Sequence, residues 1–319
     1  MAHLIMENDN MFSVRQKPWH GLGTVVETAP TIEEGIKLAN LDWTVDLKEV
    51  AVDGNIVKGY KAAMRSDTNT CLGVVSDQYK ILQNTEAFEF FQPFLDTEVA
   101  SLETAGSLKN GKRVWILAKI NRDDMIIDKN DRVEKYILLS NSHDGTAAIK
   151  VGYCPIRVVC ANTLSAAEDS VNSQLIRVTH RGDIHATLDM VRDTMHVIDA
   201  SFKTTEEMYK ALAQKDNIKT EDIKKYVMAV YSRQDLKKNF EDNTAITEEE
   251  ISAARKKLIS RVEELFEMEY AHNAWTMYNS VNYVLNHERG RNLESSYNSI
   301  WFESAKRLDR EALKIALTY

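Results

Sequence analysis

YILLSNSHDGTAAIKVGYCPIRVVCANTL, residues 136–164, is the stretch on which the reading of the fold turns. The apolar run 136–139 gives way to polar residues 140–142. Asp144-Gly145 then offers two residues tolerant of the positive φ that a tight type I′ turn requires. A β-hairpin closed at Asp144-Gly145 is the expectation. Pro155 has no N–H to give to a ladder, so the returning strand is an edge at that point or ends there. Residues 157–160 lead into 161–168, where Leu164 and Ala167 share a helical face. The stretch thus joins a strand-rich region to a helix-rich one.

Glycine and proline mark the same division. All four prolines and eleven of the twelve glycines lie at or before Gly182, and only Gly290 falls after it. That asymmetry implies an α+β fold: a mainly antiparallel meander sheet in the N-terminal half and a helical C-terminal half. The expected division is a sheet domain over 1–182 and a helical region over 183–319. With no low-complexity linker between them, the helices should dock on the sheet. No internal repeat is visible.

Before the hairpin, Pro18-Trp19-His20-Gly21-Leu22-Gly23 reads as an anchoring loop with a tryptophan to be covered. Thr31, followed by Glu33 and Glu34, opens a short helix to Asn40. Strand patterns follow at 42–52 and 56–64, joined by Asp53-Gly54-Asn55, and at 71–76. Residues 85–95 read as one helix with Phe88, Phe91 and Leu95 on a face. Strands resume at 99–108 and 112–120 around the turn signal Asn110-Gly111, and 173–181 closes the sheet. Thereafter the period is 3.6: Ile184, Leu188, Val191, Met195 and Ile198, then Ile251, Leu258, Val262, Leu265 and Phe266. Thr247 with Glu250 forms a capping-box pattern. Trp275, Tyr278, Asn282, Leu285 and Arg289 share one side of a helix ending at Gly290. A last helix from about Tyr297 turns Ile300, Trp301, Leu308, Ala312 and Leu313 inward. The C-terminal aromatic stripe reads as core, with an oligomer interface as its alternative.

Composition narrows the functions. At 44% apolar and 28% charged, the chain has the make-up of a soluble protein with a real core. A formal charge of −8 and a pI near 5.6 argue against coating duplex DNA by bulk electrostatics. Three cysteines and no signal-like N-terminus suggest a reducing cytoplasm. No run of eighteen apolar residues offers a membrane span.

Several motifs together resemble a known family. They are Pro18-Trp19-His20-Gly21-Leu22-Gly23, Leu72-Gly73-Val74-Val75-Ser76 with Tyr79, Ala105-Gly106-Ser107-Leu108, Ser142-His143-Asp144-Gly145, Arg157-Val158-Val159-Cys160-Ala161-Asn162-Thr163-Leu164, and Ala274-Trp275 through His287-Glu288-Arg289. In this order they resemble the phage/plasmid-like protein family, domain of unknown function 932. The resemblance implies a cytoplasmic protein of phages, plasmids and integrated elements, and carries over no catalytic residues.

His143, Asp144, Cys154, Cys160 and His180 are the residue types from which a nucleophile, base or metal site is built. Their spacing matches no metal or hydrolase motif: there is no CxxC, HExxH or HxH. Cys160 at a helix start reads as a small buried hydrophobe, with thiol reactivity as its alternative. No cofactor is indicated, since the chain has no GxxxxGK[ST] and Gly21-Leu22-Gly23 lacks the third glycine of a dinucleotide fingerprint.

Nucleic-acid chemistry finds more. Alternation over 173–181 places Leu175, Arg177, Thr179 and Arg181 on one face. In 112–120, Arg113, Trp115, Leu117 and Lys119 share a face, with bases flanking an aromatic as in a single-strand groove. The competing reading buries Trp115 and lets the basic ends snorkel. Lys150 and Arg157, flanking Tyr153, extend the same candidate surface. The leading expectation is therefore a non-catalytic, oligomeric single-stranded DNA-binding or annealing protein of a phage or plasmid. Its sites are Arg113, Trp115, Lys119, Lys150, Arg157, Arg177 and Arg181. The second is an interaction protein that blocks or redirects a host protein, and the third an enzyme using Cys160 or His143.

Overall fold

A computed structural model describes residues 10–15, 23–128, 131–157, 174–194, 199–231, 253–288 and 304–319. Its strands are β1 Met11–Val14, β2 Thr24–Val26, β3 Val45–Val52, β4 Asn55–Arg65, β5 Cys71–Ser76, β6 Ala100–Leu108, β7 Arg113–Ile120, β8 Met125–Asp128, β9 Asp131–Ser142, β10 Ile149–Arg157 and β11 Gln174–Val178. The larger sheet runs β11-β10-β9-β7-β6-β1-β2, with β8 also paired to β9; β3-β4-β5 form a separate sheet. Every pairing is antiparallel except β1 with β2. The helices are α1 Ile32–Leu38, α2 Asn84–Glu89, α3 Gln92–Asp96, α4 Ile184–Thr194, α5 Asp199–Ala213, α6 Thr220–Tyr231, α7 Ala253–Glu267, α8 Ala274–Tyr283 and α9 Ser304–Ala316, and a π-helical turn Val284–Glu288 extends α8. The protein is α+β, with sheet first and helices after, as its glycine distribution implies.

Local chemistry explains the short elements. Thr31 and Glu34 cap α1 reciprocally, side chain to backbone in both directions. The β3–β4 connection has positive φ at Asp53 (50°) and Gly54 (81°), the signature of a two-residue I′ hairpin. Residues 85–95 do not form one helix: the chain breaks at Phe90-Phe91, and α3 restarts with Pro93 in its first turn, where a missing N–H costs nothing. Phe88 and Phe91 are nonetheless buried, as their spacing implies. Strand β1, which pairs with β6, has no counterpart in the sequence reading, being too short to show a period.

The β9–β10 hairpin forms, but it is not closed by a tight turn at Asp144-Gly145. Pairing ends at Ser140↔Lys150, and only Gly145 of the pair has positive φ (74°). The reason lies in His143, whose N–H still donates to the Lys112 carbonyl on the neighbouring strand, holding the chain in the sheet one residue longer. Asp144 then organises a wider loop through its side chain. Pro155 pairs with Lys135 on β9, and the residues before β11 that would face it on the other side lie outside the described residues.

β7 is buried without alternation from Val114 to Ala118, because both faces of the larger sheet are covered. On one face Val114, Ile116, Ile137, Leu139, Val151 and Tyr153 join a cluster that continues into the helices as far as Leu313 and Ala316. Sheet and helices therefore share one core. On the other face Met11, Leu108, Trp115, Leu117, Tyr136, Leu138 and Cys154 make a second cluster. Gly106 is required there, since a Cβ would lie 2.6 Å from both the Met11 Cβ and the Trp115 ring.

In the helical half, Ile184, Leu188, Val191, Val262, Phe266, Trp275, Tyr278, Leu285, Leu308, Ala312 and Leu313 are buried, in line with their spacing. Trp275 ties the halves together: its Nε1 donates to buried Asp131 at 2.7 Å, at the start of β9. An aromatic this size buries about 150–250 Å², worth at most ~4–6 kcal/mol. Trp19, Met195, Ile198, Thr247, Arg289, Ile300 and Trp301 lie outside the described residues. No described helix is long and apolar enough to cross a membrane.

Candidate functional site

The register decides which basic residues meet. Lys150 stands directly opposite Arg177 on β11 and opposite Ser140 on β9, and Ser140 is opposite Trp115 on β7. Arg113 is one rung along, opposite Ser142. Arg177, Lys150 and Arg113 therefore share a sheet face across four adjacent strands, about 15 Å of sheet at ~4.8 Å per strand. Arg177 is exposed; Lys150 and Arg113 are half-buried, and Arg113 donates to Thr146 Oγ1 at 3.1 Å.

The other candidates lie elsewhere. Lys119 is opposite Tyr136 at the far end of β7 and ion-pairs with Glu134. Arg157 pairs with Val133, seven residues along β10 from Lys150, which is about 23 Å; its side chain lies outside the described residues. Trp115 is 3% exposed and its indole N–H has no partner among the described residues; it is part of the second cluster and not an open stacking surface. Arg181 is exposed but follows the end of β11, so the alternation that grouped it with Arg177 stops short of it. Cys160 lies outside the described residues; Cys154 is buried and Cys71 exposed.

Beside this row sits the 143–148 loop. The Asp144 Oδ1 accepts from Ser142 Oγ, from Thr146 N at 3.0 Å and from Thr146 Oγ1 at 2.6 Å. Burial pushes its carboxyl up, but these bonds and Arg113 outweigh it and hold the pKa below the usual range. His143 is fully buried. Asn84 Nδ2 donates to the Trp43 carbonyl, which orients Oδ1 as the acceptor of His143 Nε2–H at 3.0 Å. The neutral ring must then leave Nδ1 unprotonated, and that atom is buried with no partner among the described residues. Burial first, and nearby His180 second, push the His143 pKa down to about 3. His180 repeats the arrangement: Nδ1 donates to the Lys80 carbonyl at 2.8 Å, Nε2 is buried without a partner among the described residues, and the ring stacks on Tyr79 at 4.4 Å. A wholly buried, neutral imidazole cannot reach a substrate, so His143 acts here as a core group. The described residues contain no cluster of three or more His, Cys, Asp or Glu able to hold a metal.

At the Lys119 end, Glu134 accepts from both Lys119 and the Tyr136 hydroxyl. Glu103 lies in the same neighbourhood, with Oε2 at 3.8 Å from Arg15. Burial, reinforced by Glu134, pushes its pKa up to about 7. Nothing in the sequence signals Glu103 or Asn84: neither belongs to a motif, and Glu103 is placed by an irregularity in β6–β7 pairing between Leu102 and Thr104. Tyr79 and His180, by contrast, stand out by residue type or motif, though not as a stacked pair.

Neither a curated protein nor a solved structure matches this sequence. A family model described as a domain of unknown function (DUF932) matches residues 71–309, about three quarters of the chain. That span runs from β5 into the first half of α9, including both the 143–148 loop and the Arg113–Lys150–Arg177 row. The chain belongs to the DUF932 family.

Proposed function

We propose that this protein binds single-stranded DNA through the basic end of its larger sheet and acts as an oligomer, as an annealing protein would. The observation that supports this is the register, which sets Lys150 directly opposite Arg177 with Arg113 two strands further on. Like charges opposed across a ladder repel, and an anionic strand laid along them turns that repulsion into attraction at several points. Three contacts per protomer give modest affinity in a chain of net charge −8; summing them over an oligomer makes binding effective. In this reading the protein works in the cytoplasm of a cell carrying a phage, plasmid or integrated element, as the family resemblance suggests.

Fluorescence anisotropy of a labelled single strand of about 40 nucleotides, long enough for several protomers, tests the proposal at low salt. Binding that weakens steeply with salt and prefers the single strand to the duplex is expected. No binding by folded protein contradicts it.

A second reading, capture of a host protein, is favoured by the β3–β4 arm. Tyr60 on β4 and Val74 on β5 share a face by register, Ile56 lies beyond a register shift nearer the β3–β4 turn, and each is more than half exposed. Such a patch suits protein contact. In the leading reading it is the oligomer contact.

A further inference from the structure

Two motifs of the sequence lie outside the basic row: Leu72-Gly73-Val74-Val75-Ser76 with Tyr79, and Ser142-His143-Asp144-Gly145. They meet in the structure. Gly73 lies so close to the 143–148 loop that a Cβ there would sit 2.8 Å from the Asp144 Cα, and one at Gly145 would sit 2.9 Å from the Val75 Cγ1. The Tyr79 hydroxyl donates to the Ser142 carbonyl, and the His143 N–H donates to the Lys112 carbonyl at 3.0 Å. The start of the loop is thus fixed from two sides, by β5 with Tyr79 and by the residue that precedes β7.

That fixed backbone holds Asp144, whose Oδ1 accepts from Ser142 Oγ at 2.5 Å, from Thr146 N at 3.0 Å and from Thr146 Oγ1 at 2.6 Å. With its proton committed to Asp144, the Thr146 hydroxyl has lone pairs left for a donor, and Arg113 Nη2 donates to it at 3.1 Å. A hydroxyl that donates to a carboxylate is a stronger acceptor, so the two bonds reinforce each other. We propose that the 142–146 loop is a positioning device for Arg113, in which Asp144, acting through Thr146, aims the guanidinium along the row it forms with Lys150 and Arg177. This role rests on the DNA-binding reading. Thr146 presents Arg113 with a neutral oxygen, whereas a carboxylate in direct contact would compete with phosphate for the guanidinium. An arginine already held has less rotamer freedom to lose when it takes a phosphate.

Anisotropy of the labelled single strand with the wild type, Thr146→Val, Thr146→Ser, Arg113→Gln and the Thr146→Val/Arg113→Gln double variant tests the role, with a melting temperature taken for each. Thr146→Val keeps the shape of the side chain without its hydroxyl and should weaken binding about threefold to tenfold at an unchanged melting temperature. Thr146→Ser, which keeps the hydroxyl, should bind as the wild type does. Arg113→Gln should weaken binding at least as much as Thr146→Val. Adding Thr146→Val to it should change nothing further, because the hydroxyl then has no guanidinium to aim. No binding by the folded wild type overturns the DNA-binding reading and this role with it. Binding by the wild type that Thr146→Val leaves unchanged, that Thr146→Ser weakens equally, or that Thr146→Val weakens by the same factor with and without Arg113, overturns the role alone.

Discussion

Gly145 has φ of +74°, and a Cβ there would lie 2.9 Å from the Val75 Cγ1. Gly145→Val places a β-branched side chain in both a disfavoured backbone region and an occupied space, so unfolding should become easier by about 1–3 kcal/mol. Urea denaturation with an unchanged m-value checks this. Titration supplies a second test at this scale. His143 has its native pKa lowered to about 3 from 6.5, so between those values the unfolded chain binds the extra proton and stability is lost as pH falls. Glu103 has its pKa raised to about 7 from 4.5, so in that window the native state binds more protons and stability is lost as pH rises. The two oppose each other between about 4.5 and 6.5. Glu103→Gln, which removes the carboxylate that burial disfavours, should therefore raise stability at pH 8, on the order of 1 kcal/mol, and change it little below pH 4. Melting curves at the two pH values separate these outcomes. Of these residues the sequence announces Gly145 by its turn motif and His143 by its residue type, but not Glu103, whose burial depends on strands far apart in the chain.

At the level of elements, strands that alternate or carry turn dipeptides were legible, and those with distant causes were not. The β3–β4 hairpin follows from Asp53-Gly54, yet the equally suggestive Asp144-Gly145 sits in a six-residue loop, because His143 remains bonded to β7 through the Lys112 carbonyl. Likewise Arg113, Trp115, Leu117 and Lys119 do share a face, but a second cluster covers its middle, which no count of alternating residues reveals. Trp115→Ala should accordingly cost stability, about 3–5 kcal/mol, and any loss of DNA binding should follow the loss of folded protein. The β3–β4 arm carries a separate expectation. Ile56→Ser with Tyr60→Ser removes exposed apolar area without touching the core, so the melting temperature should hold within about 0.5 kcal/mol equivalent. Sedimentation velocity should show a smaller species if the arm mediates assembly; an unchanged sedimentation profile assigns the oligomer contact elsewhere.

On the scale of the whole molecule, the shift from glycine-rich strands to nearly glycine-free helices at residue 182 conveys the α+β class, but not that both halves share one core. That sharing rests on contacts such as Trp275 with Asp131, separated by 144 positions. The functional reading also belongs to this scale, since Arg113, Lys150 and Arg177 meet only because β7, β9, β10 and β11 are consecutive in the sheet. Each phosphate contact on a single strand contributes about −0.7 to the slope of log affinity against log salt. The most direct measurement is therefore that slope per protomer, for the wild type and for Lys150→Glu with Arg177→Glu, on one labelled single strand with folding confirmed by circular dichroism. A wild-type slope near −2, falling in magnitude by about 1.4 in the double variant with at least tenfold weaker binding, is the predicted result. Equal slopes and equal affinities for the two proteins would contradict the account.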